Sequence, residues 1–120
     1  MQIKNGTFLL GDCLERMSEI PDGSVDMVLC DLPYGTTACK WDSVIPFEPL
    51  WAHYWRVCKP NAVVVLTASQ PFTSALVMSQ TERFKSEWIW EKSKASNFLQ
   101  AKKQQLKAHE SAVVFAQGTT

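Results

Sequence analysis

The sequence predicts an α/β fold, in which strands and helices alternate along a single domain of 120 residues. Two short apolar runs, residues 25–30 and 62–66, have the composition of strands that are covered on both faces. A segment with helical apolar spacing lies between them, and two further strand-like runs occupy residues 87–90 and 111–115. This order indicates a largely parallel sheet with helices on its faces.

The N-terminal quarter predicts a strand, a helix and a turn. Residues 7–10 are a short apolar run typical of a strand. Asp12 can cap a helix, with Glu15 three residues on as in a capping box. The helix would bury residues at helical spacing, namely Leu14, Met17 and Ile20. Residues 21–24 read Pro-Asp-Gly-Ser and predict a turn before the strand at residues 25–30.

The clearest helix lies between the two central strands. Its apolar residues recur at steps of three and one along a single face: Phe47, Leu50, Trp51, Tyr54, Trp55 and Cys58. The Lys-Pro-Asn sequence at residues 59–61 predicts the end of this helix. After the second strand, Ser69 can cap another helix with Pro71 in its first turn. The residues of that helix available to the core are Phe72, Ala75, Leu76 and Met78.

Composition excludes several classes of protein. Twelve basic and twelve acidic residues give a formal net charge of zero, so composition alone does not indicate a nucleic-acid-binding protein. No run of about eighteen apolar residues exists, and residues 1–5 lack the apolar core of a signal peptide, so we expect a cytoplasmic protein without a membrane span. The four cysteines show no Cys-x-x-Cys spacing, and the two histidines lack ligand partners in sequence, so no metal site is predicted.

The residues with the strongest chemical character are Asp31, Leu32, Pro33 and Tyr34, which follow the first central strand. The Asp31 carboxylate can accept a hydrogen bond from an amino group, and Pro33 fixes the backbone so that a carbonyl can accept another. Tyr34 offers a stacking surface worth roughly 1–3 kcal/mol, comparable to the few kcal/mol needed to extrude a base from a duplex. Asp12 also follows a predicted strand, so both acids are expected at one rim of the sheet. The alternative is a turn without a function.

Five short segments occur along the chain in the order in which one enzyme family has them. They are Leu10-Gly11-Asp12-Cys13, Asp31-Leu32-Pro33-Tyr34-Gly35-Thr36-Thr37, Lys40-Trp41-Asp42, Trp90-Glu91-Lys92, and His109-Glu110 with Val113-Val114-Phe115. The chain thereby resembles the amino-methyltransferases of DNA, whose loop is Asp/Asn/Ser-Pro-Pro-Tyr/Phe/Trp. Leu32 stands where proline is usual. The order resembles that of the permuted members, in which the catalytic loop comes first.

The resemblance implies a partial Rossmann-like methyltransferase sheet, largely parallel with a terminal antiparallel pair. It also implies transfer of a methyl group from S-adenosyl-L-methionine to the N6 amino group of a flipped adenine in double-stranded DNA. Asp31 would hold the amino group near the donor sulfonium, and the backbone carbonyl of the next residue would accept the second amino hydrogen. Asp12 and Cys13 would contact the donor together with Asp31. Cytosine-N4 methylation is the alternative chemistry, although those enzymes more often begin the loop with serine.

A basic stretch near the C-terminal end is the candidate DNA contact. Between residues 92 and 109 the chain contains five lysines and no acidic residue. They are Lys92, Lys94, Lys102, Lys103 and Lys107. In the family arrangement this stretch lies beside the catalytic rim and would contact phosphates. The alternative is a solvated, mobile loop, and both hypotheses hold if the loop becomes ordered on DNA.

The family's other donor-binding element, Phe-x-Gly-x-Gly, does not occur in residues 1–120, and neither does a target-recognition region. We therefore expect a catalytic portion that is weakly active or inactive alone, with open sheet edges that favour a homodimer. The competing hypothesis is a non-catalytic chain that binds DNA or regulates a partner. A place in restriction-modification or in phage protection is the biological setting that the resemblance implies.

Overall fold

The computed structural model describes residues 1–40, 42–92 and 109–118. Within these residues the strands are β1 (Gln2–Ile3), β2 (Gly6–Thr7), β3 (Val25–Asp31), β4 (Cys58–Ala68), β5 (Phe84–Glu91) and β6 (His109–Ala116). The α-helices are α1 (Cys13–Arg16), α2 (Phe47–Val57) and α3 (Phe72–Ser79), and short 3-10 helices span Met17–Glu19 and Thr81–Arg83. The chain thus follows the α/β order that its sequence predicts.

The main sheet has the strand order β3-β4-β6-β5. β3 runs parallel to β4, whereas β6 lies between β4 and β5 and is antiparallel to both. Three strands therefore share one direction, and the predicted antiparallel pair at the end of the sheet, β5 and β6, is confirmed. The expectation of a largely parallel sheet was wrong. Because β6 lies between β4 and β5, one pair of neighbouring strands is parallel and two pairs are antiparallel. The sheet is mixed.

One face of the sheet is covered, by α2 and α3. Successive side chains of a strand point to opposite faces of the sheet. From Ala62 to Ala68, every second residue of β4 is buried on the covered face. The buried core consists of Leu32, Leu50, Trp51, Tyr54, Cys58, Ala62, Val64, Leu66, Ala68, Phe72, Leu76, Val113 and Phe115. The edge-to-face contact of Trp51 with Phe115, at 4.7 Å between ring centroids, joins α2 to β6.

The opposite face of the sheet is open in the described part of the chain. On β3, Met27 is 50% exposed and Leu29 is 70% exposed, and on β5 Trp88 and Trp90 are also exposed. The prediction that residues 25–30 form a strand is confirmed, whereas the described residues cover only one face of that strand. An apolar run has the same composition whether one or both of its faces are covered, so periodicity could not separate the two cases.

The predicted central helix is confirmed as α2, with Leu50, Trp51, Tyr54 and Val57 buried. It ends one residue before Cys58, which begins β4. The Lys-Pro-Asn segment follows inside β4 rather than capping the helix. It lies at an irregularity of the ladder, because Val25 pairs with Cys58 while the next partners along the two strands are residues 27 and 63.

Helix α3 is confirmed, with Pro71 directly before its first residue. Ser69 contributes its backbone carbonyl, which accepts from the amide of Thr73, and makes no side-chain cap. Phe72 and Leu76 are buried as predicted, whereas Ala75 and Met78 are exposed, so that part of the predicted core was wrong. The helix turns these two side chains away from the sheet because its buried face runs through residues 72, 73 and 76.

The N-terminal strand prediction was wrong. Of residues 7–10, only Thr7 lies in a strand. That strand, β2, pairs with β1 in a separate two-stranded hairpin outside the main sheet. The predicted cap of the following helix is confirmed: the amide of Leu14 donates to Asp12 Oδ1 at 2.9 Å. Arg56 of α2 holds the segment that follows this helix in sequence. Its guanidinium donates to the carbonyl of Ile20 at 2.9 Å and to that of Met17 at 2.8 Å.

Candidate active site

The loop that leaves β3 lines a cavity of about 390 Å³. The lining residues are Asp31, Leu32, Pro33, Tyr34, Thr36, Thr37 and Asp42. Asp31 is the last residue of β3 and is exposed, whereas the side chain of Leu32 is only 5% exposed and belongs to the core. Leu32 thus anchors the loop through its side chain, which leaves its backbone for contact with a ligand. The structure therefore brings the four loop residues that the sequence indicated to one cavity of small-ligand size.

The carboxylate of Asp31 is held by a neighbouring hydroxyl. Asp31 and Thr67 are register partners on β3 and β4, and the Thr67 hydroxyl donates to Asp31 Oδ1 at 2.7 Å. The phenol of Tyr34 in turn donates to Thr67 Oγ1 at 3.2 Å. Three polar side chains thus meet at the carboxyl ends of two parallel strands, where α/β sheets bind ligands.

The ring of Tyr34 is fixed from one side by α3. It stacks on Phe72 with 5.1 Å between centroids and 19° between ring planes. Burial, with a smaller contribution from the nearby Asp31, raises the pKa of Tyr34 to about 12, so the phenol stays protonated near neutral pH. Since Phe72 covers one ring face, a planar ligand in the cavity can stack only on the other.

Asp42 closes the loop as an acceptor for three donors. Its Oδ1 accepts from the amide of Gly35 at 3.0 Å, and its Oδ2 accepts from the amide and hydroxyl of Thr37 at 2.8 and 2.6 Å. The side chain is only 8% exposed. Gly35 has φ 73°, and a Cβ there would lie 2.8 Å from Val44 Cγ2, so the turn requires glycine. Asp42 therefore holds the backbone that directly follows Tyr34.

The hydrogen bond from Thr37, followed by that from Gly35, lowers the pKa of Asp42. A carboxyl whose folded-state pKa is depressed adds stability above its unfolded-state pKa of about 4, and that stability is lost as the pH falls through the folded-state value. We therefore expect Asp42→Asn to unfold more easily than the wild type at pH 7, with a difference that shrinks below about pH 4.

Urea unfolding at a series of pH values checks this prediction. Asp26→Asn is the matched control, because Asp26 is an exposed residue in a surface ion pair with Lys59 and should matter little. A difference between Asp42→Asn and wild type that stays constant down to pH 2.5, about 1.5 units below the ordinary carboxyl pKa, would contradict the assigned cause.

Asp12 and Cys13, the other predicted donor contacts, lie at the start of α1. Asp12 is exposed and caps the helix through Oδ1. Cys13 is exposed by surface area, yet partial burial of its thiol, followed by the charge of Asp12 and the neighbouring Cys30, raises its pKa. The interaction with Cys30 places the start of α1 near the end of β3. Asp12 follows no strand of the main sheet, so the prediction that it lies just past the end of such a strand was wrong.

Of the predicted DNA-contacting lysines, Lys92 lies in the described residues. Its ammonium is 3.0 Å from Glu110 Oε1 and 5.8 Å from the centre of the Trp90 ring. Lys94, Lys102, Lys103 and Lys107 lie outside the described residues, as does Trp41. Glu110 also acts on Tyr34, since its charge is among the causes that raise the Tyr34 pKa. The β5–β6 end of the sheet is therefore near the loop.

Across residues 1–40, 42–92 and 109–118, no group of three or more His, Cys, Asp and Glu side chains is arranged to hold a metal ion. Among the helices of the same residues, none has the length and apolar character needed to cross a membrane.

Thr67, Asp42 and Phe72 are site residues to which the sequence assigned no role in the site. The position of Thr67 could have been predicted, since it lies near the carboxyl end of the strand after the one that carries Asp31, and such ends meet at one rim of the sheet. Asp42 belongs to the segment Lys40-Trp41-Asp42 of the resemblance, which predicts no contact for its carboxylate. Its contacts depend on a loop path with no periodicity from which they could be predicted.

No protein-family model matches the chain, whereas solved structures do. TTHA0409 from Thermus thermophilus, a candidate DNA modification methylase complexed with S-adenosyl-L-methionine, is 16% identical with a TM-score of 0.67; the match covers 92% of this chain and 55% of that one. M1.HpyAVI in complex with SAM is 18% identical with a TM-score of 0.57, and the match covers 88% and 52%. The chain spans about half the length of these proteins and shares their fold over that part.

Proposed function

We propose that this chain is the catalytic portion of an S-adenosyl-L-methionine-dependent DNA methyltransferase that acts on the N6 amino group of adenine. The observation that carries the proposal is the position of Asp31, whose exposed carboxylate faces a cavity beside Tyr34 at the end of β3. Two solved structures of the same fold contain S-adenosyl-L-methionine, which supports this donor.

Asp31 and Leu32 would make the amino nitrogen of the base reactive. The carboxylate accepts one amino hydrogen, and the backbone carbonyl of Leu32 accepts the other, which makes the nitrogen more tetrahedral and its lone pair more available. When bound, the donor supplies a methyl group on a positively charged sulfur and leaves as a neutral thioether. The new nitrogen–carbon bond forms as the sulfur–carbon bond breaks, and the surplus proton can pass to Asp31. Most of the catalysis is positioning, with reacting atoms held ~3–3.5 Å apart.

The described residues fit the donor at one side of the site. Asp31 places a negative charge where the sulfonium would be positive, and the exposed Asp12 has a second carboxylate oxygen beyond the one that caps α1. Cys13 stands beside Asp12 and near Cys30, so the two segments can contact one ligand. Lys92, Lys94, Lys102, Lys103 and Lys107 are proposed to contact DNA phosphates.

Tyr34 would hold the flipped base. Its ring lines the cavity, and Phe72 backs one ring face, so the base would stack on the other. We expect Tyr34→Ala to weaken capture of the base by roughly 10- to 100-fold, in line with 1–3 kcal/mol for stacking, while donor binding stays unchanged. Tyr34→Phe retains the ring and should retain most activity.

Fluorescence of 2-aminopurine at the target position measures this capture, because the probe brightens when it leaves the base stack. Tyr54→Phe is the matched control, since Tyr54 is a buried tyrosine of α2 that does not line this cavity. A wild-type fluorescence increase in Tyr34→Ala would show that the ring does not hold the base.

The function itself is tested by transfer of a labelled methyl group. The protein expressed from its natural reading frame is incubated with unmethylated DNA and labelled donor, and the DNA is digested to nucleosides. Label in N6-methyladenine supports the proposal, and label in N4-methylcytosine would move the activity to the alternative base. DNA without label, under conditions in which the protein is folded and binds donor, would support the non-catalytic hypothesis.

A further inference from the structure

The hydroxyl of Thr67 is placed between the two loop residues that the proposed reaction uses. It donates to Asp31 Oδ1 at 2.7 Å and receives the phenol hydrogen of Tyr34 at 3.2 Å. A hydroxyl has one hydrogen to donate, so donation to the carboxylate leaves Tyr34 as the donor to Thr67. The phenol of Tyr34 therefore donates to Thr67, and the hydroxyl of Thr67 donates to Asp31. Burial raises the pKa of Tyr34, so its phenol stays protonated and can donate this hydrogen bond.

The two ends of the Thr67–Asp31 contact differ in how firmly the backbone holds them. Asp31 is the last residue of β3, a strand that pairs only with β4 within the described residues. Thr67 lies on β4, which is paired on both sides, with Asp31 as its partner on one side and Ala112 on the other. Its neighbours Leu66 and Ala68 are fully buried in the core. Thr67 thus belongs to the most firmly held strand at this rim.

An exposed aspartate at the end of an edge strand has a broad range of carboxylate orientations, because its terminal torsion has shallow minima. A short hydrogen bond from a hydroxyl to a carboxylate is among the stronger ones and narrows that range. We propose that Thr67 is a positioning residue, which orients the Asp31 carboxylate toward the substrate amino group. The inference rests on the proposed function and assigns no contact between Thr67 and the substrate.

Three variants separate this role from a structural one. Thr67→Val has nearly the same shape but no hydroxyl, Thr67→Ser restores the hydroxyl, and Thr81→Val makes the same change at an exposed residue far along the chain. In the complete product of the reading frame, we expect Thr67→Val to lower kcat by about 10- to 100-fold, the usual effect of removing a group that orients an active-site residue. Thr67→Ser should recover to within about threefold of wild type, and Thr81→Val should match wild type.

A second readout does not depend on methyl transfer. The ¹³C resonance of the Asp31 side-chain carboxyl, recorded on residues 1–120, should move in Thr67→Val and return close to its wild-type position in Thr67→Ser. Thermal unfolding of each variant shows whether the fold is retained, and Thr67→Val should melt within a few degrees of wild type.

The outcomes distinguish this inference from the proposed function. Equal kcat for Thr67→Val and wild type overturns the positioning role and leaves the proposed function standing. A complete product of the reading frame that methylates no DNA overturns the proposed function and with it the substrate-directed role of Thr67. An Asp31 carboxyl resonance that is identical in Thr67→Val and wild type overturns the hydrogen bond on which the inference rests, whatever the activity.

Discussion

Replacement of Asp31 by alanine is expected to abolish methyl transfer to DNA while the fold is retained. The carboxylate is the acceptor that would hold the amino group, and no other carboxylate among the described cavity residues can replace it, because Asp42 is engaged by Gly35 and Thr37. Loss of one preorganised polar group at a reacting centre typically costs about 100- to 1,000-fold in kcat, and here the lost group is the principal one. We expect at least that reduction.

The fold should be unaffected because Asp31 is exposed at the end of β3 and contributes nothing to the core. Asp26→Ala is the matched control: it removes a carboxylate from the same strand, where the side chain is 81% exposed and forms a surface ion pair with Lys59. Single-turnover methylation with labelled donor measures both variants. Near wild-type methylation by Asp31→Ala would remove Asp31 from the site.

The second large effect concerns the donor. Residues 1–120 alone are expected to bind S-adenosyl-L-methionine at millimolar rather than micromolar concentration, and to show no multiple turnover. Asp12 and Asp31 supply two contacts at most, and no Phe-x-Gly-x-Gly segment, which lets the backbone approach the donor, occurs in these residues. Each tenfold loss of affinity corresponds to about 1.4 kcal/mol, so the loss of a few such contacts accounts for a roughly thousandfold change.

Isothermal titration of the donor into residues 1–120, alongside the complete product of the reading frame, measures this difference. Asp12→Asn in the tighter-binding protein tests whether the start of α1 contributes. It keeps a side-chain oxygen that can cap α1 but removes the charge, so it should weaken donor binding while the free energy of unfolding changes little. Micromolar affinity of residues 1–120 would show that these residues build a complete donor pocket by another route, such as across a dimer.

The open side of β3 gives this expectation a structural basis. Among the described strands, β3 pairs with β4 alone, and Met27 and Leu29 are exposed on the sheet face that no described helix covers. Asp31 therefore stands at the end of a strand that has one unpaired edge among the described strands. An unpaired edge of this kind is also a site at which chains associate.

Elements whose pattern has one structural solution could be predicted from the sequence. The apolar spacing of α2 fits a helix and not a strand. The loop at Asp31 could be predicted because it follows an apolar run that predicts a strand. Two features were beyond such patterns. The insertion of β6 between β4 and β5 depends on long-range pairing, and the fate of residues 7–10 depends on a hairpin that competes with the sheet.

The residues that would contact a ligand could be predicted from the sequence, whereas the residues that hold them in place could not. Asp31 and Tyr34 are indicated by residue type and by their position after a strand. Thr67 and Asp42 are supporting residues whose roles arise from register and loop path, and Leu32 shows why a departure from the family pattern is tolerated: its side chain is buried in the core. Sequence patterns describe such contacts poorly because their partners are distant in the chain.

The most direct test of the central claim is the crystal structure of the protein with a DNA duplex and a non-reactive donor analogue. The proposal predicts a flipped adenine whose amino nitrogen lies about 3 Å from both the Asp31 carboxylate and the Leu32 carbonyl, with the base stacked on the open face of Tyr34. An adenine that remains in the helix stack, or an amino nitrogen held by other residues with Asp31 directed elsewhere, would contradict it.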